Sequence, residues 1–521
     1  MLSANYTISV EVGIDKTLSD VSMSDEGYGF SADLTDCYKL LCNYLALNSM
    51  RLTLFISIIA VVLVLSGIGC NVPTVPSQQS ASPPVIETAS TDLTITIGSL
   101  NNLVIEPLLG VNIGPIPSGT DPRNADLTTA YKEIGVTLIR THDYYGALDM
   151  SLLYPDRTKD PSDPRSYNFA SSDETWKAII DGGFEPYFRL GDSWNDAKPP
   201  ANALERSNWV KAAIEVLRHY RTGRWNGFNT SFRYVEIWNE PDNQQFWSKP
   251  HTPLEYFQLY HEAAVAIKQQ FPGVMVGGPA VTQAAAMTPQ GKKWTQDFLD
   301  FVRQKNAPLD FFSWHMYSNS PQEYAEAANF YRSLLDARGF TQTTIHITEW
   351  NTDIKRGADD SPEALALRTG SRGAAILTAA WIELQHNDVE VSTIYRGPDP
   401  DIKAPTFYGL FYADGRPKRS ALAFSLWSKM TLYPQQVSIS APSYPSLWML
   451  AGQNDAGNVA LIIANTGDKP VSVGISFADQ RRINKISLYR VSDASDEIQT
   501  STLNSPIFEL DAYSVQLMTF E

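Results

Sequence analysis

Between Leu108 and Gly397 the chain sets eight short β-rich runs among longer helical patterns. The runs are LLGVNIG (108–114), VTLIRTH (136–142), EPYFRLG (185–191), RYVEIWNE (233–240), VMVGGPA (274–280), DFFSWHMY (310–317), TIHITEW (344–350) and EVSTIYRG (390–397). Between them, Ala201–Tyr220, Pro253–Phe271, Trp294–Lys305, Tyr324–Arg338 and Pro362–Gln385 repeat apolar residues every three to four positions, as amphipathic helices do. Eight strands with intervening helices are what an α/β fold of the (β/α)8 TIM barrel type requires. A doubly wound open sheet is the alternative, but no Gly-rich phosphate loop follows the first run. The stretch Asp143–Asp173 is too long for a simple connection and is expected to shape the mouth of a site at the C-terminal rim.

From about Val437 the pattern changes to short alternating strands with turn signals: SLWMLAG, NVALIIANTG, PVSVGISF, NKISLYRV and SVQLMTF. These predict an accessory β-sandwich packed on the barrel, joined by the strand-like residues 92–106. The expected division is a catalytic barrel over 108–430 and a sandwich over 92–107 plus 431–521.

The chain before residue 92 reads differently. Leu52–Ile68 is a run of 17 residues without a charge, preceded by Arg51 and followed by Gly69-Cys70. A start at Met50 makes residues 50–70 similar to a bacterial lipoprotein signal with Cys70 as the lipidated residue, although Gly67 stands where leucine is usual. A signal-anchor helix and a cleaved secretion signal are the other readings. The acidic flank disfavours the anchor, because residues 1–49 hold seven acids against two bases where a cytoplasmic flank should be basic. Residues 1–49 then read as an untranslated or disordered extension, and the Pro/Ser/Thr-rich 71–91 as a tether. The expectation is an exported, membrane-anchored protein on the outer side of the cytoplasmic membrane or at the cell surface.

Charge and cysteine content exclude several classes. With 57 acids against 41 bases the formal charge is -16, so no basic field exists to hold nucleic acid. The three cysteines, Cys37, Cys42 and Cys70, all precede the folded region, which excludes a disulfide framework or thiolate zinc site there. Seven histidines show no HExxH spacing, no Asp-rich calcium loop stands out, and a GxSxG elbow is absent. No metal or other cofactor is expected.

The informative residues lie at two strand ends. The fourth run ends in Trp238-Asn239-Glu240-Pro241 and the seventh in Thr348-Glu349-Trp350-Asn351. Catalytic groups of barrel enzymes sit at the C-terminal ends of strands, so both carboxylates are expected to enter one pocket. A lone Glu at such a position is ordinarily a cap or a surface charge. Two of them, each flanked by Trp and Asn, suit glycoside hydrolysis, in which one acid protonates the leaving oxygen and the other attacks or activates water. Glu236, deeper in the fourth run, is read as a buried ion pair with Arg140 or Arg189.

Over about Gly110–Trp350 the sequence resembles clan A glycoside hydrolases, and within them family 39, which groups β-xylosidases and α-L-iduronidases. The residues carrying the resemblance are IRTHD (139–143), YNF (167–169) with GGFEPYFRLG (182–191), YVEIWNEPDNQQFW (234–247), VGGPA (276–280), SWHMY (313–317) and ITEWN (347–351). The resemblance implies a retaining mechanism with Glu240 as acid/base and Glu349 as nucleophile, acting on a carbohydrate substrate, with β-xylosidase-like exo action first. Other clan A activities, α-L-iduronidase-like or endo-acting, are the alternatives, as is a carbohydrate-binding surface protein without turnover.

By the same resemblance Asn239 bonds the sugar 2-hydroxyl, Tyr317 holds the nucleophile, and His315 lies close to the sugar. His315 and Tyr317 are one pleat period apart and should face the same side. His142 resembles the family's histidine at that position, but Asp143 follows it where the family commonly has Gly. Trp194 and Trp350 are candidate stacking platforms for sugar rings. Arg396, ending the eighth run, is a candidate for binding a carboxylate or a sugar hydroxyl.

Overall fold

The computed structural model describes residues 92–115, 125–144, 146–193, 197–353, 361–400 and 406–521. The segment Leu52–Ile68, Cys70 and the tether lie outside them, as does Trp194. Among the described residues no helix is long and apolar enough to cross a membrane.

The chain enters through a long strand, β1 (Leu93–Val104), and then builds the barrel. Its strands are β2 (Gly110–Asn112), β3 (Leu138–Arg140), β4 (Glu185–Leu190), β5 (Tyr234–Ile237), β6 (Met275–Val281), β7 (Phe311–Tyr317), β8 (Thr344–Asn351) and β9 (Val389–Ile394). They pair in sequence order, all parallel, and β2 closes the ring on β9. All eight runs singled out above are barrel strands. Each is buried on both faces, which is why they read as near-continuous apolar stretches. Inward-facing Leu138, Tyr187, Tyr234, Phe311 and Val391 fill the N-terminal end of the barrel, so the interior is packed.

The helices start at caps that the apolar period does not show. The helix expected from Trp294 begins at Pro289, where Thr288 accepts the Gly291 N–H at 3.0 Å, and the one expected from Tyr324 begins at Pro321. Proline at the first helical position loses no hydrogen bond and presets φ. The segment expected as one helix over Pro362–Gln385 is two, Pro362–Arg368 and Ser371–His386. The break has a cause outside the helix, since the Ser371 N–H is held by Asp493 at 2.8 Å.

Beyond the helix Arg419–Met430 come β10 (Gln435–Ser440), β11 (Leu447–Gln453), β12 (Val459–Asn465), β13 (Val471–Phe477), β14 (Ile486–Val491), β15 (Gln499–Leu503), β16 (Ile507–Leu510) and β17 (Ser514–Phe520). With β1 they form one continuous sheet in the order β15-β14-β17-β12-β11-β10-β1-β13-β16. β1 is the hinge, parallel to β13 over its first half and antiparallel to β10 along the rest. The sheet turns back on itself: Phe477 of β13 meets Phe520 of β17 edge-on at 5.2 Å although four strands separate them in the order. A second core containing Ile95, Leu461, Val473 and Leu488 lies between the layers. The opposite face presents Ala460, Ile462, Val515 and Leu517 to the barrel core, where Trp381 and Trp427 stack at 5.7 Å.

Candidate active site

Arg140 organises the C-terminal end of the barrel. It is fully buried and faces inward from the end of β3. Its Nε donates to Glu236 at 2.8 Å, its Nη2 to Asn239 at 2.8 Å, and its Nη1 to Asn112 at 3.0 Å and to Glu349 at 2.9 Å. Glu236 is therefore the buried ion-pair partner expected from sequence, and Thr348 donates to its other oxygen at 2.8 Å. The alternative partner Arg189 pairs with Asp149 at 2.5 Å and helps anchor the loop that begins at Asp143.

Backbone irregularity aims the two glutamates. On β5 the alternation ends at Ile237, where Trp238 (φ +75°) and Glu240 (φ +45°) take left-handed conformations. Such conformations are costly for residues other than glycine and cluster where function requires them. Trp238 turns outward against Trp247, with ring centroids at 5.2 Å, and Asn239 and Glu240 enter the site. Gly191 makes room: at φ +141°, a Cβ there would stand 2.9 Å from the Trp238 Cα.

On β8 a register shift against β7 falls between the Trp314↔Ile347 and His315↔Glu349 pairs. This bulge lets Thr348 and Glu349 both point inward, one to Glu236 and the next to Arg140. It also overturns the expectation that Trp350 stacks on a sugar. Trp350 is fully buried on the helix side, edge-on to Trp381 at 5.1 Å, with its Nε1–H on Ser392 at 2.7 Å.

His315 and Tyr317 face the same side of β7, as their spacing predicts. His315 Nδ1 lies 2.9 Å from Glu240 Oε1 and 3.6 Å from Glu349 Oε2, so one imidazole spans both acids. The Tyr317 hydroxyl donates to Glu349 Oε2 at 3.0 Å, and burial first, then the neighbouring Glu349, pushes its pKa well up so that it remains a donor. His142 Nε2 is 3.1 Å from Glu349 Oε1. Burial lowers His142, so its help to Glu349 is that of a neutral N–H donor. Burial alone would raise the Glu349 carboxyl. His315, His142 and Arg140 outweigh that and hold it well below the usual carboxylate range.

Asn243, which the sequence reading did not single out, donates from Nδ2 to Glu240 Oε2 at 2.9 Å. Its only signal is its place three residues after Glu240, in the turn that follows Pro241. Beside it, burial and the Glu240 charge push Asp242 up to about 6, against hydrogen bonds from Thr282. Glu240, Asp242, Asn243, Gln283, Tyr317 and Tyr408 line a cleft of about 490 Å³. Asn239 Nδ2 and His315 Nε2 are buried without a protein partner among the described residues, which suits donors and acceptors kept for a ligand. Arg396 is 4% exposed, with Nη1 3.9 Å from Asp143 Oδ2, and neither residue lines this cleft.

Glu240, His315 and Glu349 bring three donor atoms within 4.8 Å of one another. A divalent ion would tolerate that spacing. However, Arg140, His142 and Tyr317 already donate to both oxygens of Glu349, which leaves that carboxylate little capacity for an ion.

Residues 116–356 match the model of glycosyl hydrolases family 39. A β-xylosidase of Geobacillus stearothermophilus is 28% identical over 194 residues, which cover 34% of this chain and 36% of that relative. The chain thus matches about a third of the length of that curated relative. Among solved structures, a glucosidase from Croceicoccus marinus shares the fold with TM-score 0.66 and 24% identity, over 82% of this chain and 98% of that one. A monomeric β-xylosidase from Caulobacter crescentus does so with TM-score 0.61 and 18% identity, over 82% and 99%. Residues 116–356 are thus similar to glycosyl hydrolases of family 39, and the solved structures share the barrel-and-sheet fold.

Proposed function

We propose that the protein is a retaining glycoside hydrolase that removes a β-linked sugar, β-xylosidase-like, by double displacement on Glu349 and Glu240. The spacing of the two acids carries this reading. Donor atoms of Glu240 and Glu349 lie within 4.8 Å of each other. Retaining enzymes hold their carboxyls about 5–5.5 Å apart, and inverting ones about 6.5–9.5 Å, to admit a water between acid and sugar.

Roles follow from the surroundings. Glu349, held ionised, attacks the anomeric carbon while Glu240 gives its proton to the departing oxygen, so the glycosidic bond breaks as the ester to Glu349 forms. Water then attacks the same carbon, passes its proton to Glu240 and releases Glu349. Asn239 Nδ2 is placed to bond a sugar hydroxyl, and such bonds tighten in the transition state.

The leaving group tests the division of labour. In Glu240→Ala, the first step should survive on aryl glycosides with acidic phenols and fail on alkyl glycosides, steepening the dependence of rate on leaving-group pKa. An equal loss on both classes would contradict the acid/base role.

Export with lipid on Cys70 belongs to the same proposal and rests on the residues of the 50–70 segment alone. Mass spectrometry of the native N-terminus tests it, and an unmodified Met1 would defeat it.

A further inference from the structure

We infer that Asp143, which follows His142 at the site, makes this site select a neutral sugar, by offsetting the charge of Arg396 and repelling a sugar that itself carries a carboxylate. The inference deepens the glycosidase reading and rests on it.

Arg396 follows the end of β9 and is 4% exposed. A guanidinium is the kind of group that draws an anionic sugar such as a uronate. Asp143 changes that balance. Its Oδ2 lies 3.9 Å from Arg396 Nη1 and accepts the Tyr395 hydroxyl at 2.6 Å. Tyr395 ties this pair to the catalytic centre, because its ring meets Tyr317 edge-on at 6.2 Å, and Tyr317 holds Glu349. Asp143 also directly follows His142, whose Nε2 is 3.1 Å from Glu349.

The Asp143 side chain is 19% exposed, so its carboxylate is not sealed in the core. There it accepts a hydrogen bond from a hydroxyl but repels a carboxylate, and like charges brought together at an interface are a strong means of exclusion. The backbone supports a functional reason for the residue. Asp143 holds φ +62°, a left-handed conformation that glycine adopts freely and Asp less readily. A carboxylate is thus kept where the backbone alone would prefer no side chain.

The test compares wild type, Asp143→Asn and Asp143→Gly on 4-nitrophenyl β-D-xyloside, β-D-glucoside and β-D-glucuronide. Asn keeps shape and tolerates the left-handed backbone, and Gly relieves the strain, so at least one folded variant without the charge is expected. The ratio of kcat/KM for the glucuronide to that for the preferred neutral glycoside should rise about tenfold or more in both. If turnover is lost, calorimetric binding of free xylose and free glucuronate reads the same preference. A wild type that hydrolyses a neutral glycoside, with a ratio unchanged in both variants, overturns the inference and leaves the glycosidase reading standing. A folded wild type inactive on all three glycosides overturns both.

Discussion

Replacing Glu349 with Gln should lower turnover by roughly 10⁴-fold or more, because the group that forms the covalent intermediate is gone. Little else should change. Gln has the same shape, and its amide oxygen can still accept from Arg140, His142 or Tyr317, which now hold the carboxylate at 2.9, 3.1 and 3.0 Å. The sharper form of the experiment uses Glu349→Gly with added azide. A small anion in the vacated space can attack the anomeric carbon directly, and one displacement instead of two yields a glycosyl azide of inverted configuration. Gln or Gly variants that retain more than about a tenth of wild-type activity would show that Glu349 is not the nucleophile.

Arg140→Met should be the most damaging substitution to the fold of the site, with a loss on the order of 3–5 kcal/mol. The guanidinium bonds four side chains, and Glu236 among them is fully buried with Thr348 as its other partner. Without Arg140 that carboxylate is an uncompensated buried charge. The loss should be read as a lower urea midpoint. Adding Glu236→Gln to Arg140→Met should recover part of it, since the pair is coupled.

Activity should move as well. Glu349 is depressed in the folded protein, so its ionised form contributes stability above the ordinary carboxylate range, and that contribution is lost as pH falls through the folded value. Removing Arg140 weakens the depression. The acid limb of kcat/KM should shift to higher pH in Arg140→Met, and an unshifted limb would mean that Arg140 acts on the scaffold alone.

Much of this arrangement is legible in the chain because the eight strands are buried on both faces and bounded by turns. The two acids are legible because they end the fourth and seventh of those runs, where a barrel places its chemistry. What period-two reasoning cannot supply is where a strand breaks its own alternation. The bulge at Thr348-Glu349 turns Glu349 inward and sends Trp350 to the helices, so the tryptophan beside Glu349 is core and not a sugar platform. Left-handed Trp238 and Glu240 do the same on β5. Arg140 is visible from sequence as a partner for Glu236. Its reach to Glu349 and Asn239 appears only once three strands are brought together. Asn243 has no periodic signal, since it acts from a turn.

The stereochemistry of wild-type hydrolysis distinguishes double from single displacement. Proton NMR of an aryl β-glycoside during the first minutes of reaction shows which anomer of the free sugar is formed before mutarotation mixes them. Two displacements at carboxylates this close predict the β-anomer first, with the α-anomer growing in later. The α-anomer appearing first would mean a single displacement by water, and would contradict Glu349 as a nucleophile.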